Sequence, residues 1–136
     1  MQLNLEPTDF RYLLRGVDAG GVLVNERRLD RSFILAPNHL AEDWRPRSVG
    51  ELIPEDLDPI LALSPAVVLL GSGSQLRFPE PAVMAACLTR GIGIEVMDNA
   101  AAARTFNVLA GEGRRVVAAF LRSEEHTSEL QSLSSI

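Results

Sequence analysis

The sequence predicts an α/β domain in which antiparallel hairpin strands come first and alternating strands and helices follow. Two stretches carry most of that reading. Residues 94 to 120 read as strand, helix, strand. Ile94 to Met97 is short, apolar and partly β-branched, four alanines follow Asn99, and Val116 to Phe120 is a continuous apolar run. Alanine has the best helix propensity, and an unbroken apolar run suits a strand buried on both faces. Ala66-Val67-Val68-Leu69-Leu70 is apolar throughout in the same way and reads as a central strand.

The amino-terminal third has a different texture. Residues 1 to 9 read as a loose arm. Arg11 to Asp18 can form a strand, Ala19-Gly20-Gly21 can turn it, and Val22 to Leu29 can return antiparallel. Ser32 to Ala36 is a third strand, stopped by Pro37-Asn38, and residues 38 to 50 read as a loop around Trp44. Ser48 with Glu51 three residues on has the form of a helix start. Pro54 to Leu63 is a short helix with Ile53, Leu57, Ile60 and Leu61 at helical spacing.

In the second half, Gly71-Ser72-Gly73-Ser74 ends the central strand. Ala82 to Arg90 is a helix, apolar almost all round and so expected to be well buried. Gly91 caps it, with Ile92 placed for the apolar contact of such a cap. Asn99 reads as the N-cap of the next helix, which leaves Asp98 partly free for another role. Gly111 and Gly113 can stop that helix, and Phe106 and Leu109 belong to its buried face. Strands and helices in this order give a parallel sheet with right-handed crossovers.

Composition narrows the function. The chain of 136 residues is long enough for one domain with a core. Its net charge of -5 argues against a nucleic-acid binder, which needs a basic face to displace counterions. No apolar run approaches the roughly 20 residues that span a bilayer. The lone Cys87 excludes an internal disulfide and fits a reducing compartment, the cytoplasm. The start carries no basic leader. Residues 122 to 132, Arg-Ser-Glu-Glu-His-Thr-Ser-Glu-Leu-Gln-Ser, resemble the in-frame translation of a common sequencing-library adapter. The expected domain is therefore 1 to 121, with 122 to 136 a non-native tail that takes no part in function.

No stretch names a reaction. The Gly71-Ser72-Gly73-Ser74 loop follows a strand, where α/β proteins bind phosphates, but the third glycine of a dinucleotide fingerprint would fall at Leu76. The next helix begins beyond Pro79, too late to aim its amides at this loop. His39 stands alone outside the tail, which argues against a metal site and a catalytic triad. No cofactor is implied. Cys87, among Val83, Met84 and Leu88, reads as a small core residue. The polar groups that gather near strand ends are Ser72, Ser74, Asp98, Asn99, Arg104 and Asn107, with Gly71 and Gly73 letting a backbone or ligand come close. In the helix, Arg104 and Asn107 share a face with Ala100. Arg114, beside Glu112 and Gly113, is a further candidate for partner contact or for simple ion pairing.

Taken together, Gly71-Ser72-Gly73, Glu95-Val96-Met97-Asp98-Asn99, Ala103 to Leu109 and Glu112-Gly113-Arg114 resemble the successive motifs of the domain-of-unknown-function 498 family. The mitochondrial complex I assembly factor three belongs to that family, and the likeness covers roughly residues 10 to 121. The resemblance implies a three-layer α/β domain with a mixed central sheet. With no basic leader, it implies a bacterial member. The expected function is then non-enzymatic protein interaction or assembly. The alternative is a small anionic ligand, or a reaction, in the crevice at the strand carboxyl ends.

Overall fold

This computed structural model of the protein describes residues 11–18 and 20–122. The loose arm expected at 1 to 9 and all of the tail except Arg122 lie outside the described residues.

Three short strands form an antiparallel sheet: β1 (Leu14–Asp18), β2 (Gly21–Val24) and β3 (Arg27–Leu29). The turn between β1 and β2 needs glycine. Gly21 has φ +134, and a Cβ there would lie 2.2 Å from the Leu29 carbonyl oxygen. The expected return strand Val22 to Leu29 is in fact two strands. It breaks at Asn25, which adopts φ 53, a region that asparagine enters more readily than most residues. The Asn25 side chain also holds the turn, accepting from Leu13 N–H at 2.9 Å and donating to the Arg11 carbonyl at 3.1 Å.

The main sheet has five strands: β4 (Phe33–Ala36), β5 (His39–Ala41), β6 (Val67–Gly71), β7 (Gly93–Met97) and β8 (Val116–Phe120). Their spatial order is β5-β4-β8-β6-β7. β6 runs parallel to both β7 and β8, whereas β4 is antiparallel to β5 and β8, so the sheet is mixed. β5 was expected to be loop; three residues paired at an edge leave no apolar signature in the sequence. β8 is buried along its whole length, as its apolar run predicts.

Side chains alternate between two cores because successive strand residues point to opposite faces. On one face Leu35, Leu69, Ala118 and Phe120 meet Leu14, Val22 and Val24 of the small sheet and Ala102, Phe106 and Ala110 of α3 (Asn99–Gly111). On the other, Ile34, Val68, Leu70 and Ala119 meet Trp44, Leu57, Ile60, Val83 and Cys87. This second layer comprises a 3-10 turn at Pro54–Leu57 running into α1 (Asp58–Leu61), and α2 (Pro81–Leu88). The helix expected over 54 to 63 is thus a 3-10 turn continued by one α turn.

α2 corrects a second expectation. Only Val83 and Cys87 of it are buried, and Leu88 is exposed. Its apolar character comes largely from alanines, which sit at a surface at little cost, so it did not imply burial all round. Its end is as read from Gly91. Gly91 has φ 73, its N–H donates to the Leu88 carbonyl, and Ile92 N–H donates to the Cys87 carbonyl at 3.1 Å. Burial pushes the Cys87 thiol above its ordinary value, as expected of a core cysteine.

Ser48 makes no side-chain cap; Glu51 binds Arg47 instead. The organiser of this region is Asp56, which is 7% exposed. It takes two hydrogen bonds from the Arg45 guanidinium at 2.7 and 2.9 Å and one from Ile53 N–H at 3.0 Å. Arg45 holds the Asp56 carboxyl below the usual carboxylate range, against the upward push of burial. Trp44 Nε1 donates to the Asp56 carbonyl at 2.9 Å, and Arg45 also reaches the Glu51 carbonyl.

Phe106 is 0% exposed and fills the space between α3 and the main sheet. Phe106→Ala is expected to cost about 3–5 kcal/mol, read as a lowered urea midpoint at unchanged slope. A midpoint close to wild type would contradict this packing.

Candidate functional site

β6 and β7 end side by side, with Gly71 opposite Met97. The chain then closes a ring of hydrogen bonds. Ser72 N–H donates to the Met97 carbonyl at 2.8 Å, and Asn99 N–H donates to the Gly73 carbonyl at 2.8 Å. The Asn99 side chain completes it. Oδ1 accepts from Gly73 N–H at 3.1 Å, and Nδ2 donates to the Leu121 carbonyl at 2.8 Å. Leu121 N–H donates to the Gly71 carbonyl at 2.9 Å. The ends of β6 and β8 and the start of α3 are thereby tied through one carboxamide.

Gly71 is glycine because of that carboxamide. A Cβ at 71 would stand 2.3 Å from Asn99 Oδ1 and 3.1 Å from the Phe120 ring. Gly73 has φ 110. The Ser72 hydroxyl is also spent on the chain itself. It donates to the Gln75 carbonyl at 2.7 Å, lies 3.3 Å from the Met97 carbonyl and accepts from Arg77 N–H at 3.1 Å.

The helix cap corrects the reading of Asp98 and Asn99. Asp98 is the N-cap, with extended backbone, and its Oδ1 accepts from Ala101 N–H at 2.8 Å. Asn99 is the first helical residue and is buried at 4% exposure. Both residue types cap well. The one facing the ends of β6 and β8 needs a donor and an acceptor together, which an amide offers and a carboxylate does not.

The remaining candidates lie elsewhere. Asn107 joins α3 to the small sheet, accepting from Leu14 N–H at 3.0 Å and donating to the Leu14 carbonyl at 2.7 Å. Arg104 is exposed, makes no ion pair among the described residues, and lines a shallow hollow of about 260 Å³ between β1 and α3. Arg114 is at the other end of the sheet, before Val116, which pairs with the first residue of β6. There its N–H donates to the Leu109 carbonyl and Gly113, at φ 79, turns the chain out of the helix. The structure therefore gathers Gly71, Ser72, Gly73, Asp98 and Asn99, sets Arg104 and Asn107 toward β1, and leaves Arg114 apart.

Two cavities open near this end. One of about 320 Å³ lies between the two sheets, walled by Val22, Leu29 and the stacked rings of Phe33 and Phe120. Asp18, Asp30, Arg31 and Ser74 also line it. Asp18 is engaged by Arg28 at 2.7 Å and by Gly20 N–H. The other, of about 500 Å³, is lined by Arg31, Glu42, Asp43, Trp44, Arg45 and Arg47. Arg27 pairs with Glu42 at 2.7 Å and holds that carboxyl below its ordinary value. The first lies at the strand carboxyl ends where the sequence suggests a crevice, though its lining from the small sheet has no sequence signal; nothing in the sequence points to the second. Among the described residues no group of His, Cys, Asp or Glu is placed to hold a metal ion.

This architecture is a mixed α/β domain in which backbone and side-chain groups at the strand ends, where nucleotide-binding folds keep a site, are bonded to one another. The chain belongs to the family described as protein of unknown function (DUF498/DUF598), which matches residues 14–121. It is 32% identical over 103 residues to the bovine (Bos taurus) NADH dehydrogenase [ubiquinone] 1 alpha subcomplex assembly factor 3, covering 74% of this chain and 55% of that protein. The chain thus spans little more than half the length of this relative. A solved structure of a Xanthomonas campestris protein is 55% identical, with a TM-score of 0.77 over 90% of this chain and 92% of that one. A Bordetella pertussis protein described as an Mth938-like domain is 27% identical, with a TM-score of 0.74 over 93% and 98%. No helix among the described residues is long and apolar enough to cross a membrane.

Asn99→Ala removes both side-chain bonds and leaves the Gly73 N–H and the Leu121 carbonyl buried without partners. Each such group costs about 1–3 kcal/mol, so a loss of about 2–5 kcal/mol is expected in chemical denaturation. A change below about 1 kcal/mol would show that the ring is dispensable.

Proposed function

We propose that this domain works by binding a protein partner, in the manner of an assembly factor, and carries no reaction of its own. The observation that carries the reading is the 32% identity with the bovine assembly factor across most of the domain. The chemistry of the strand ends is in keeping with it. Ser72, Gly73 and Asn99, the groups best placed to meet a substrate, already bond to one another's segments.

A second reading has one specific support. The cavity of about 320 Å³ opens at the carboxyl ends of β6 and β8 and is lined by Ser74 and Asn99, and ligands of open α/β sheets bind outside such ends. Two acids, Asp18 and Asp30, and two arginines, Arg31 and Arg122, line the same cavity, so its charges are balanced.

Affinity purification of the full chain, with native mass spectrometry of what is retained, separates the two. A stoichiometric protein partner is expected; a small molecule retained without any protein would favour the cavity. Arg104 is the exposed cation of the candidate set. Arg104→Ala is expected to change stability by less than about 1 kcal/mol while partner capture falls. A strongly destabilised variant would mean that Arg104 belongs to the scaffold.

A further inference from the structure

β7 is the last strand of the main sheet, and no described strand pairs with its outer edge. Its ladder fixes which backbone groups are free. Ser72 N–H donates to the Met97 carbonyl at 2.8 Å, so Met97 turns its peptide groups toward β6. In a parallel ladder successive residues alternate in the side to which they turn N–H and C=O. Gly93 and Glu95 therefore also turn inward, and Ile94 and Val96 each present an N–H and a C=O to the outside.

Natural sheets blunt their edges with charged side chains, proline or bulges. β7 has no proline or bulge, its register with β6 is unbroken from Gly93 to Met97, and its one charge is the exposed Glu95. Ile94 and Val96 are half-buried against the core that contains Val83, and Glu95 is exposed. At the carboxyl end of the strand, the Ser72 hydroxyl lies 3.3 Å from the Met97 carbonyl, donates to the Gln75 carbonyl at 2.7 Å and accepts from Arg77 N–H at 3.1 Å. This holds Leu76-Arg77-Phe78 beside the end of β7 with Leu76 53% and Phe78 67% exposed.

We propose that the outer edge of β7 takes an extended segment of a protein partner as a further strand, with a basic residue of that segment opposite Glu95. Main-chain bonds to Ile94 and Val96 supply the affinity, and the charge at Glu95 supplies the selectivity. A second copy of this chain is a poor occupant. The antiparallel self-pairing that engages both outward residues sets Ile94 against Val96 of the other copy. It then sets Glu95 against Glu95, directly opposed at the close spacing of about 4.5 Å, where like charges repel. The inference rests on the protein-interaction reading and names its surface.

The test uses the full chain and a blocked Thr-Val-Arg-Val-Thr peptide, followed by amide NMR. The Ile94 and Val96 amides are expected to shift and their hydrogen exchange to slow. A peptide with Glu in place of the central Arg should bind about five-fold more weakly, and Glu95→Lys, at an exposed position, should reverse that order. No change at Ile94 and Val96, or equal affinity for the two peptides, would overturn the assignment. Partner capture that persists in Glu95→Lys would also overturn it while leaving the interaction reading in place. Loss of capture in folded Glu95→Lys supports both.

Discussion

The Asn99 carboxamide holds together three segments that no other side chain joins among the described residues. It reaches Gly73 after β6 and Leu121 after β8 from the first residue of α3. A carboxamide accepts through its oxygen and donates through its nitrogen, and burial makes both bonds obligatory. The arrangement in turn requires Gly71, because any side chain there would overlap the carboxamide. With α3 fixed at its start, Phe106 and Ala110 fall on the sheet and Asn107 reaches Leu14, which docks the small sheet. A local constraint of two residues thus sets how the layers meet.

The same constraint shapes what the domain can do. In open α/β folds the carboxyl ends of the strands are where ligands sit. Here the backbone groups that would face a ligand face each other, and the hydroxyl of Ser72 organises its own loop. Besides the two cavities, the outside offers a strand edge that no described strand pairs, two exposed apolar side chains on the loop after β6, and an exposed arginine on α3. These outer features are in keeping with the protein-interaction function proposed for the domain.

Much of the fold is legible in the residues. β6 and β8 are continuous apolar runs, α3 opens on four alanines, and Gly91 with Ile92 ends α2 as expected. The errors have physical sources. Asn25 turns the chain without a glycine, so one strand was read where two stand. Asp98 and Asn99 are both good caps, and only the packing above them decides which one turns inward. The alanines of α2 counted as apolar although their exposure costs little. Arg114 joined the candidate set by motif, yet chain direction puts it at the opposite end of the sheet. The Arg45–Asp56 pair gave no sign beyond a tryptophan set among polar residues, because eleven residues separate the partners.

Native-state hydrogen exchange tests most directly whether the strand ends are framework. The amides of Gly73, Asn99 and Leu121 all donate within the ring. If the ring is part of the cooperative core, they exchange only through global unfolding, with the same free energy as the buried amides of β8. Exchange of these three amides through a local opening, far faster than β8, would contradict the account and return the strand ends to the role of a mobile binding loop.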